Sequence, residues 1–556
     1  MRKGHLRDYR SCGCLALLLL LAGMALFPVL VYQQPAVAGG VVLAVGASLA
    51  GIAAYGLYRL IRYLQGKMDR NGLSLRADRH PYSLELATTK GPIRLYNPFR
   101  GILVVGAAGS GKSESIALPL MRGFAQKGFS GIIYDFKFPS LTGDMHSFLA
   151  AQGNPLPHYF LNFHDPLRSY RVNPLHPRYL PHTGYAREYA TAIVSNLMRE
   201  SIRRPDFWTR SATDLLTACI WYLRSEHPDL CDLPHVLALV TSPDEALLKT
   251  LRQNEQCAQM TVSILSAMER GAENQVSGVV GTLQGAVAQL NTPEVCYLFG
   301  GDDFSLDIND PKNPIVLSLG SHPSLAGTYA PLCSLVITVA TRLMNQPGKH
   351  HSFLLLDEGP TVFIPHLELL PNTARSNRVA TVFMCQDLAQ LVDMYGTEKA
   401  DVLSAALNSH FYGRVSSSKT ARFMSEQFGR YDQVYTTSST SRSWRQWLGG
   451  NVGKSETVQE RDRIRASEFL RFPVGRFAGI AVESNAAEFN AQFRVPARPP
   501  RVPLPQPTAA EGDMLEYYRR VRREVNSLLV AVDAPQKPSP GKRHGQDSAS
   551  RFRLDV

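Results

Sequence analysis

Cysteine is scarce in this sequence, and its positions show no metal-binding pattern. Eight cysteines are scattered along 556 residues, and none of them belongs to a Cys-x-x-Cys pair. The spacing therefore indicates neither a structural zinc site nor the dense disulfide framework of small secreted domains. Reduced thiols in a protein body that faces the cytosol fit this distribution best.

Acidic residues are also in deficit. The chain has 47 aspartates and glutamates against 59 lysines and arginines, which gives a formal net charge of +12. A basic excess predicts an anionic partner, either nucleic acid or lipid headgroups, although part of it could simply flank membrane spans. With 44% hydrophobic residues the chain is globular overall, and it is longer than one ordinary domain.

Charge is missing altogether from two long runs near the N-terminus, Cys14–Tyr32 and Ala36–Tyr58. Each run is long enough to cross about 30 Å of hydrocarbon as a helix. Basic residues flank the pair on both sides, namely Arg2, Lys3, Arg7, Arg10, Arg59, Arg62 and Lys67. The positive-inside rule then places both termini and the protein body in the cytoplasm. We predict a two-span anchor over residues 1–64; the alternative is a secretory signal cleaved near Ala36–Ala38.

The segment GILVVGAAGSGKS matches the phosphate-loop pattern G-x-x-x-x-G-K-[ST] after an apolar strand. Glycine permits the backbone angles that turn N–H groups toward phosphates, and the following helix points its positive end at the same anion. Lys112 is predicted to reach the β- and γ-phosphates of ATP, and the Ser113 hydroxyl to bind Mg²⁺. The residues predicted to contact the nucleotide are Gly106, Ala107, Ala108, Gly109, Ser110, Gly111, Lys112, Ser113 and Glu114. A glycine-rich surface turn is the alternative.

An acidic pair, Asp357 and Glu358, ends a second apolar run in SFLLLDEG. Asp357 is predicted to orient Mg²⁺ and its waters, and Glu358 to act as the general base on the attacking water. The alternative is a helix start with acidic residues near its dipole.

Further apolar runs end in polar residues and predict an α/β fold with a parallel sheet and crossover helices. GIIYDFK ends at Asp135 and Lys137, and VATVFMCQD ends at Gln386 and Asp387. Because ligand groups gather at the carboxyl ends of parallel strands, Gln386 is a candidate to sense the γ-phosphate or to position water. Asp135 and Lys137 are weaker candidates for the same site, and a simple turn is the alternative for each.

The order of these motifs resembles that of type IV secretion system coupling proteins of the TraG/TraD type, the membrane ATPases of bacterial conjugation. The anchor is followed by GAAGSGKS, IIYDFK, a helical insertion and LLLDEG. The most specific block is LPNTARSNRVATVFMCQDLAQLVDMYG, in which an arginine-bearing helix leads to a strand that ends in glutamine. The resemblance covers about residues 10–495.

The resemblance implies a RecA-like P-loop NTPase that works as a homohexamer in the bacterial inner membrane. In such rings a neighbour's arginine reaches the transferring phosphate, and Arg375 is the first candidate here, with Arg378 second. The implied partners are a relaxase or relaxosome with single-stranded DNA, the inner-membrane components of the secretion channel, and membrane lipid. An all-helical domain that faces the cytoplasm is also implied.

The predicted domains follow from these assignments. They are the anchor (1–64), the first part of the nucleotide-binding domain (65–175), the inserted all-α domain (176–295), the second part of the nucleotide-binding domain (296–495), and a proline-rich linker with a short helix and a disordered basic tail (496–556). In the tail, Asp513 and Glu516 fit a helix-capping pattern, and Val521, Val525 and Leu528 form an apolar stripe. Trp444 and Trp447 alternate with arginines, which is typical either of single-strand binding or of a plain hairpin.

The motifs favour an ATP hydrolase, and the resemblance implies that it recruits a relaxase–DNA substrate and pumps it to a secretion channel. Two alternatives remain open at this stage: the same motor exporting protein effectors without DNA, and a receptor or scaffold that uses nucleotide only to assemble. The intact Lys112, Asp357 and Glu358 favour an active enzyme over the scaffold.

Overall fold

The computed structural model describes residues 80–441, 451–505, 507 and 511–533. The two predicted membrane spans, the tryptophans at 444 and 447 and the basic tail after Asp533 lie outside these ranges. Within them, the segment Pro323–Met344 is the one helix long and apolar enough to cross a membrane, and 67% of its apolar window is buried inside the protein.

Thirteen strands are present in the described residues. In chain order they are β1 (Leu84–Leu86), β2 (Ile93–Leu95), β3 (Ile102–Val105), β4 (Ser130–Asp135), β5 (His158–Asn162), β6 (Val316–Gly320), β7 (Ser352–Leu356), β8 (Val379–Cys385), β9 (Ser409–Tyr412), β10 (Arg430–Ser441), β11 (Asn451–Asp462), β12 (Arg476–Ile480) and β13 (Glu488–Gln492). Each strand predicted from an apolar run is observed.

Helices connect these strands and pack in the cores on both faces of the large sheet. They are α1 (Leu118–Gln126), α2 (Ser140–Ala150), α3 (Thr183–Leu197), α4 (Glu200–Arg203), α5 (Phe207–Glu226), α6 (Leu233–Val240), α7 (Asp244–Arg252), α8 (Glu255–Met260), α9 (Val262–Glu269), α10 (Glu273–Val287), α11 (Pro293–Phe299), α12 (Ala326–Met344), α13 (Leu370–Thr373), α14 (Leu388–Tyr395), α15 (Thr397–Ala406), α16 (Ser418–Glu426), α17 (Ala466–Phe469) and α18 (Glu511–Asp533).

One large sheet organises the nucleotide-binding part, with the strand order β13-β12-β9-β3-β8-β7-β4-β6-β5. From β9 to β5 all neighbours are parallel, whereas β12 is antiparallel to β9 and to β13. Parallel strands read as continuous apolar runs because helices cover both faces. Alternate residues of β3 therefore enter two cores, Leu103 and Val105 on one face and Ile102 and Val104 on the other.

The insertion between β5 and β6 is helical, as the sequence predicts. Helix α5 begins after Asp206, whose carboxylate accepts from the Thr209 N–H at 2.7 Å and caps the helix. Within this predicted all-α domain, α6 and α7 follow each other closely and are separated by Thr241–Pro243. Helices α3 and α12 pack against each other, so the insertion shares its core with one face of the sheet.

Strands β10 and β11 form a separate antiparallel ribbon, paired from Arg430 with Asp462 to Ser441 with Asn451. This agrees with the hairpin interpretation of the segment. The tip, residues 442–450, lies outside the described residues.

The C-terminal helix α18 packs against α6 and α11 of the insertion. Its predicted stripe is buried, with Val521 and Val525 each 1% exposed. The predicted cap needs correction, because the helix already begins at Glu511 and Asp513 lies inside it.

A buried histidine joins α18 to the insertion. His235 Nδ1 lies 2.6 Å from Asp232 Oδ1, and its Nε2 lies 2.9 Å from Glu524 Oε2 on α18. Burial opposes the charged form, but the hydrogen bonds and charges of Asp232 and Glu524 outweigh it, so the pKa of His235 is raised. A raised pKa means that this stabilisation is complete below the unfolded value of about 6.5 and is lost as pH rises through the folded value.

We therefore expect Glu524→Gln to destabilise the docked α18 at pH 6 by about 1 kcal/mol, since the Glu524 side chain is 39% exposed and its charge is partly screened. At pH 8.5 the difference from wild type should shrink. Limited proteolysis of α18 at both pH values measures this. Glu516→Gln, on the exposed side of the same helix, is the matched control. An equal effect of Glu524→Gln at both pH values would contradict the ionic link.

Candidate nucleotide site

Three neighbouring strands bring the predicted site together at their carboxyl ends. The phosphate loop follows β3, Gln386 follows β8, and Asp357 with Glu358 follows β7. Because β8 lies between β3 and β7, one strand separates the loop from the acidic pair. The site therefore lies where parallel α/β sheets bind their ligands.

The phosphate loop has the backbone shape that its glycines were predicted to allow. Gly109 and Gly111 have φ angles of 71° and 93°, a region that favours glycine. A Cβ on Gly106 would come within 2.6 Å of the Ser110 hydroxyl. After Lys112 a single π-helical turn, Ser113–Ala117, continues into α1, so a helix N-terminus faces the loop.

Neighbouring backbone groups hold the loop on both sides. The Gly106 N–H donates to the Cys385 carbonyl at 3.1 Å, and the Ala107 N–H donates to the Arg414 carbonyl at 2.7 Å. On the other side the Gly475 N–H donates to the Ser110 carbonyl at 2.9 Å. These bonds fix the loop to β8, to the end of β9 and to the start of β12.

Lys112 is buried in the loop, where its ammonium group donates to the Gly106 carbonyl. Burial lowers the pKa of Lys112, and the charges of Glu358 and Asp357 oppose that shift. Lys112 is thus a buried cation of the loop whose charge interacts with both carboxylates of the acidic pair.

The acidic pair is divided between two partners. The Ser113 hydroxyl donates to Asp357 Oδ1 at 3.3 Å. Glu358 instead accepts from Gln386, at 3.2 Å from its backbone N–H and 3.3 Å from its side-chain amide. Burial raises the pKa of both Asp357 and Glu358, and Lys112 opposes the rise.

The residues present fit a nucleoside triphosphate with Mg²⁺. The Ser110 hydroxyl is buried in the loop without a hydrogen-bond partner in the described part of the chain. Ser113 and Asp357 place a hydroxyl and a carboxylate oxygen side by side, and oxygen ligands are those that Mg²⁺ prefers. The loop, the helix end and Lys112 together supply the donors that polyphosphate requires.

Comparison with protein-family models identifies the family of this chain. The model of the type IV secretory system conjugative DNA transfer family matches residues 65–475. The chain belongs to this family. The match contains the phosphate loop, the acidic pair and Gln386, and the family is the one that the motif order resembles.

Solved structures of a conjugative coupling protein share the fold of this family member. The unbound bacterial conjugative coupling protein TrwBdeltaN70 has a TM-score of 0.59 at 18% identity, over 75% of this chain and 90% of that chain. The plasmid coupling protein TrwB in complex with ADP and Mg²⁺ has a TM-score of 0.57 at 18% identity, over 73% of this chain and 87% of that chain. At this identity the likeness shows a shared fold. Sequence comparison found no match among curated proteins.

Two candidate arginines of this conjugative DNA transfer protein lie away from its own phosphate loop. Arg375 and Arg378 precede β8, so they lie at the amino end of this strand, whereas the phosphate loop lies at the carboxyl ends of the strands. The Arg375 guanidinium is 3.5 Å from the Glu483 carboxylate, and that of Arg378 donates to the Tyr82 hydroxyl at 3.0 Å. The seven residues of β8 span about 20 Å, farther than an arginine side chain extends. A role of either arginine at the phosphates would therefore need a second copy of the chain.

Asp135 reaches the rim of the site, but its carboxylate is used in the fold. It accepts from the Thr142 N–H at 2.9 Å and the Thr142 hydroxyl at 2.8 Å, and from the Lys137 N–H at 3.2 Å. Burial raises its pKa to about 6. These bonds tie the end of β4 to the first turns of α2.

Sequence reasoning missed three residues around the loop of this family member. Arg414 and Gly475 hold its backbone, as described above. Arg498 pairs with Glu114 at 2.7 Å, which engages the side chain of a residue predicted to contact the nucleotide. The one sequence signal was a glycine before β12, and Gly475 indeed has a φ of 78°.

Proposed function

We propose that the chain is a membrane-anchored coupling ATPase of a type IV secretion or conjugation system. It recruits a relaxase–single-stranded DNA substrate and uses ATP hydrolysis to pump it to the secretion channel. The observation that carries the proposal is Glu358 held by Gln386 beside a complete phosphate loop. Such an arrangement is suited to hydrolysis as well as to nucleotide binding.

The residues divide the reaction between them. Lys112 and the loop N–H groups hold the phosphates, and Mg²⁺, bound by Ser113 and oriented through Asp357, would neutralise part of their charge. Glu358 accepts a proton from water as the water oxygen bonds to the γ-phosphorus and the bond to the ADP oxygen breaks. Burial raises the pKa of Glu358 and makes it a stronger base than an exposed glutamate. Gln386 orients that carboxylate.

A hexameric ring at the inner membrane completes the proposal. The uncharged runs Cys14–Tyr32 and Ala36–Tyr58 anchor it, with both termini and the body in the cytoplasm. Arg375 of one subunit then serves the phosphate loop of its neighbour. Its place at the amino end of β8, on the side of the sheet opposite the phosphate loop, supports a role between subunits.

Arg375→Ala is expected to lower ATP hydrolysis by about 10³-fold because a trans-acting arginine contributes a factor of this size. Mixing it with Lys112→Ala subunits should restore part of the activity, since each variant supplies what the other lacks. Steady-state phosphate release from mixed and unmixed preparations measures this. Arg378→Ala, mixed in the same way, tests the second candidate, and Arg422→Ala, at an exposed position on α16, is the control. Mixed rings no more active than either parent would count against a shared site.

The cargo is tested in cells that encode the chain. DNA transfer and protein export are measured with wild type and with Lys112→Ala in place of the native copy. Loss of DNA transfer with the variant supports the proposal. Normal DNA transfer with lost export of a protein substrate would instead favour an effector exporter without DNA. Loss of neither would favour a scaffold.

A further inference from the structure

Arg414 lies beside the phosphate loop for a structural reason. Strand β9 pairs in parallel with β3, and Val105 and Tyr412 are partners in this pairing. The residues that follow the two strands therefore lie at the same end of the sheet. The Arg414 carbonyl then accepts from the Ala107 N–H at 2.7 Å. The backbone of Arg414 is thus fixed to the loop whatever its side chain does.

The side chain of Arg414 runs along the same loop. Its Nη2 lies 3.8 Å from the position that a Cβ on Gly109 would occupy, and apart from the two chain neighbours of Gly109 no other described residue comes within 4 Å of that position. Arg414 is half-buried, so its guanidinium is partly withdrawn from water. Gly109 itself is exposed at the mouth of the loop.

Within the part of the chain that the structure describes, the Arg414 guanidinium also lacks a protein partner. Among residues 80–441, 451–505 and 511–533 it donates no hydrogen bond and pairs with no carboxylate. Two other arginines show the contrast. Arg100 pairs with Glu483, and Arg498 pairs with Glu114 and Asp144. A guanidinium is always charged and presents several donors in a fork that matches phosphate oxygens. Because the neighbouring loop has the pattern of a polyphosphate-binding loop, a phosphate group is the ligand that suits this guanidinium.

We propose that Arg414 is a further nucleotide-binding residue, whose guanidinium binds the diphosphate common to ATP and ADP. The inference rests on the proposed function, because it requires that the loop binds a nucleotide. The diphosphate is favoured over the γ-phosphate because the loop N–H groups surround the α- and β-phosphates, whereas Lys112 reaches toward the γ-phosphate. Arg414 would bind the phosphates from the exposed side of the loop, and Lys112 would bind them from its buried side.

The test compares the affinities of the full-length protein for MgADP and for a Mg²⁺-bound, non-hydrolysable ATP analogue, measured by calorimetry. Arg414→Gln should weaken both by about tenfold, the size expected for a hydrogen bond to a charged group. Arg414→Lys should recover part of the loss, since it keeps the charge without the fork. Arg422→Gln, at an exposed position on α16, is the control and should bind like wild type.

A melting curve without nucleotide keeps the result interpretable. Because the backbone bond to Ala107 does not involve the side chain, Arg414→Gln should unfold at the wild-type temperature. Equal affinities of wild type and Arg414→Gln would overturn the inference, and so would a loss confined to the ATP analogue. Failure of the wild type to bind either nucleotide would instead overturn the proposed function itself.

Discussion

Replacing Lys112 by alanine is expected to abolish ATP hydrolysis, with a loss of at least about 10²–10³-fold. The ammonium is buried in the loop and lies among the carboxylates of Asp357 and Glu358. Its removal leaves those two negative charges facing the phosphates without a cation from the protein. Nucleotide affinity should fall as well, because Lys112 contacts phosphates both before and during the reaction.

Phosphate release at saturating MgATP, together with equilibrium nucleotide binding, measures both effects. Lys127→Ala removes an exposed lysine just after α1 and should change neither. Hydrolysis by Lys112→Ala at more than a tenth of the wild-type rate would contradict the placement of this lysine in the reaction.

Replacing Glu358 by glutamine is expected to separate binding from hydrolysis. The change keeps the size of the side chain but removes the base, so turnover should fall by about 10²–10⁴-fold. Affinity for MgATP should stay within a few-fold of wild type, because Glu358 acts on water and Lys112 with the loop binds the phosphates. This pattern of lost kcat with retained binding is the sign of a group needed for the chemical step.

The pH dependence gives the same prediction a second readout. The base must be ionised, and burial raises the pKa of Glu358, with Lys112 opposing the rise. Hydrolysis should therefore be lost as pH falls through a value above the ordinary glutamate pKa of about 4.3. Glu358→Gln should lose this limb, whereas the exposed Glu398→Gln should keep the wild-type profile. A normal rate for Glu358→Gln would assign the base to another group.

The parts of the site that the sequence predicted are those set by local patterns. The loop glycines, the apolar run before Asp357 and the run that ends at Gln386 each carry their signal within a few residues. Their meeting also followed from general geometry, since parallel strands present their carboxyl ends together. The bond from Gln386 to Glu358 is the structural detail that this argument lacked.

The parts that the sequence did not predict depend on distant pairing. Arg414 approaches the loop only because β9 pairs with β3, and strand order is not written in any short segment. The docking of α18 likewise depends on His235 meeting Glu524, which is 289 residues away. Asp135 looked like a site residue because it ends a strand, but Thr142 uses its carboxylate within the fold.

The most direct test of the account is phosphate release from MgATP by the purified full-length protein, with and without single-stranded DNA. We predict hydrolysis that requires Mg²⁺, rises with protein concentration as the ring assembles, and increases when single-stranded DNA is added. Equal rates of hydrolysis with and without single-stranded DNA would favour a protein substrate without DNA. Bound nucleotide with no phosphate release at any protein concentration, with or without DNA, would contradict the claim that this site is a motor.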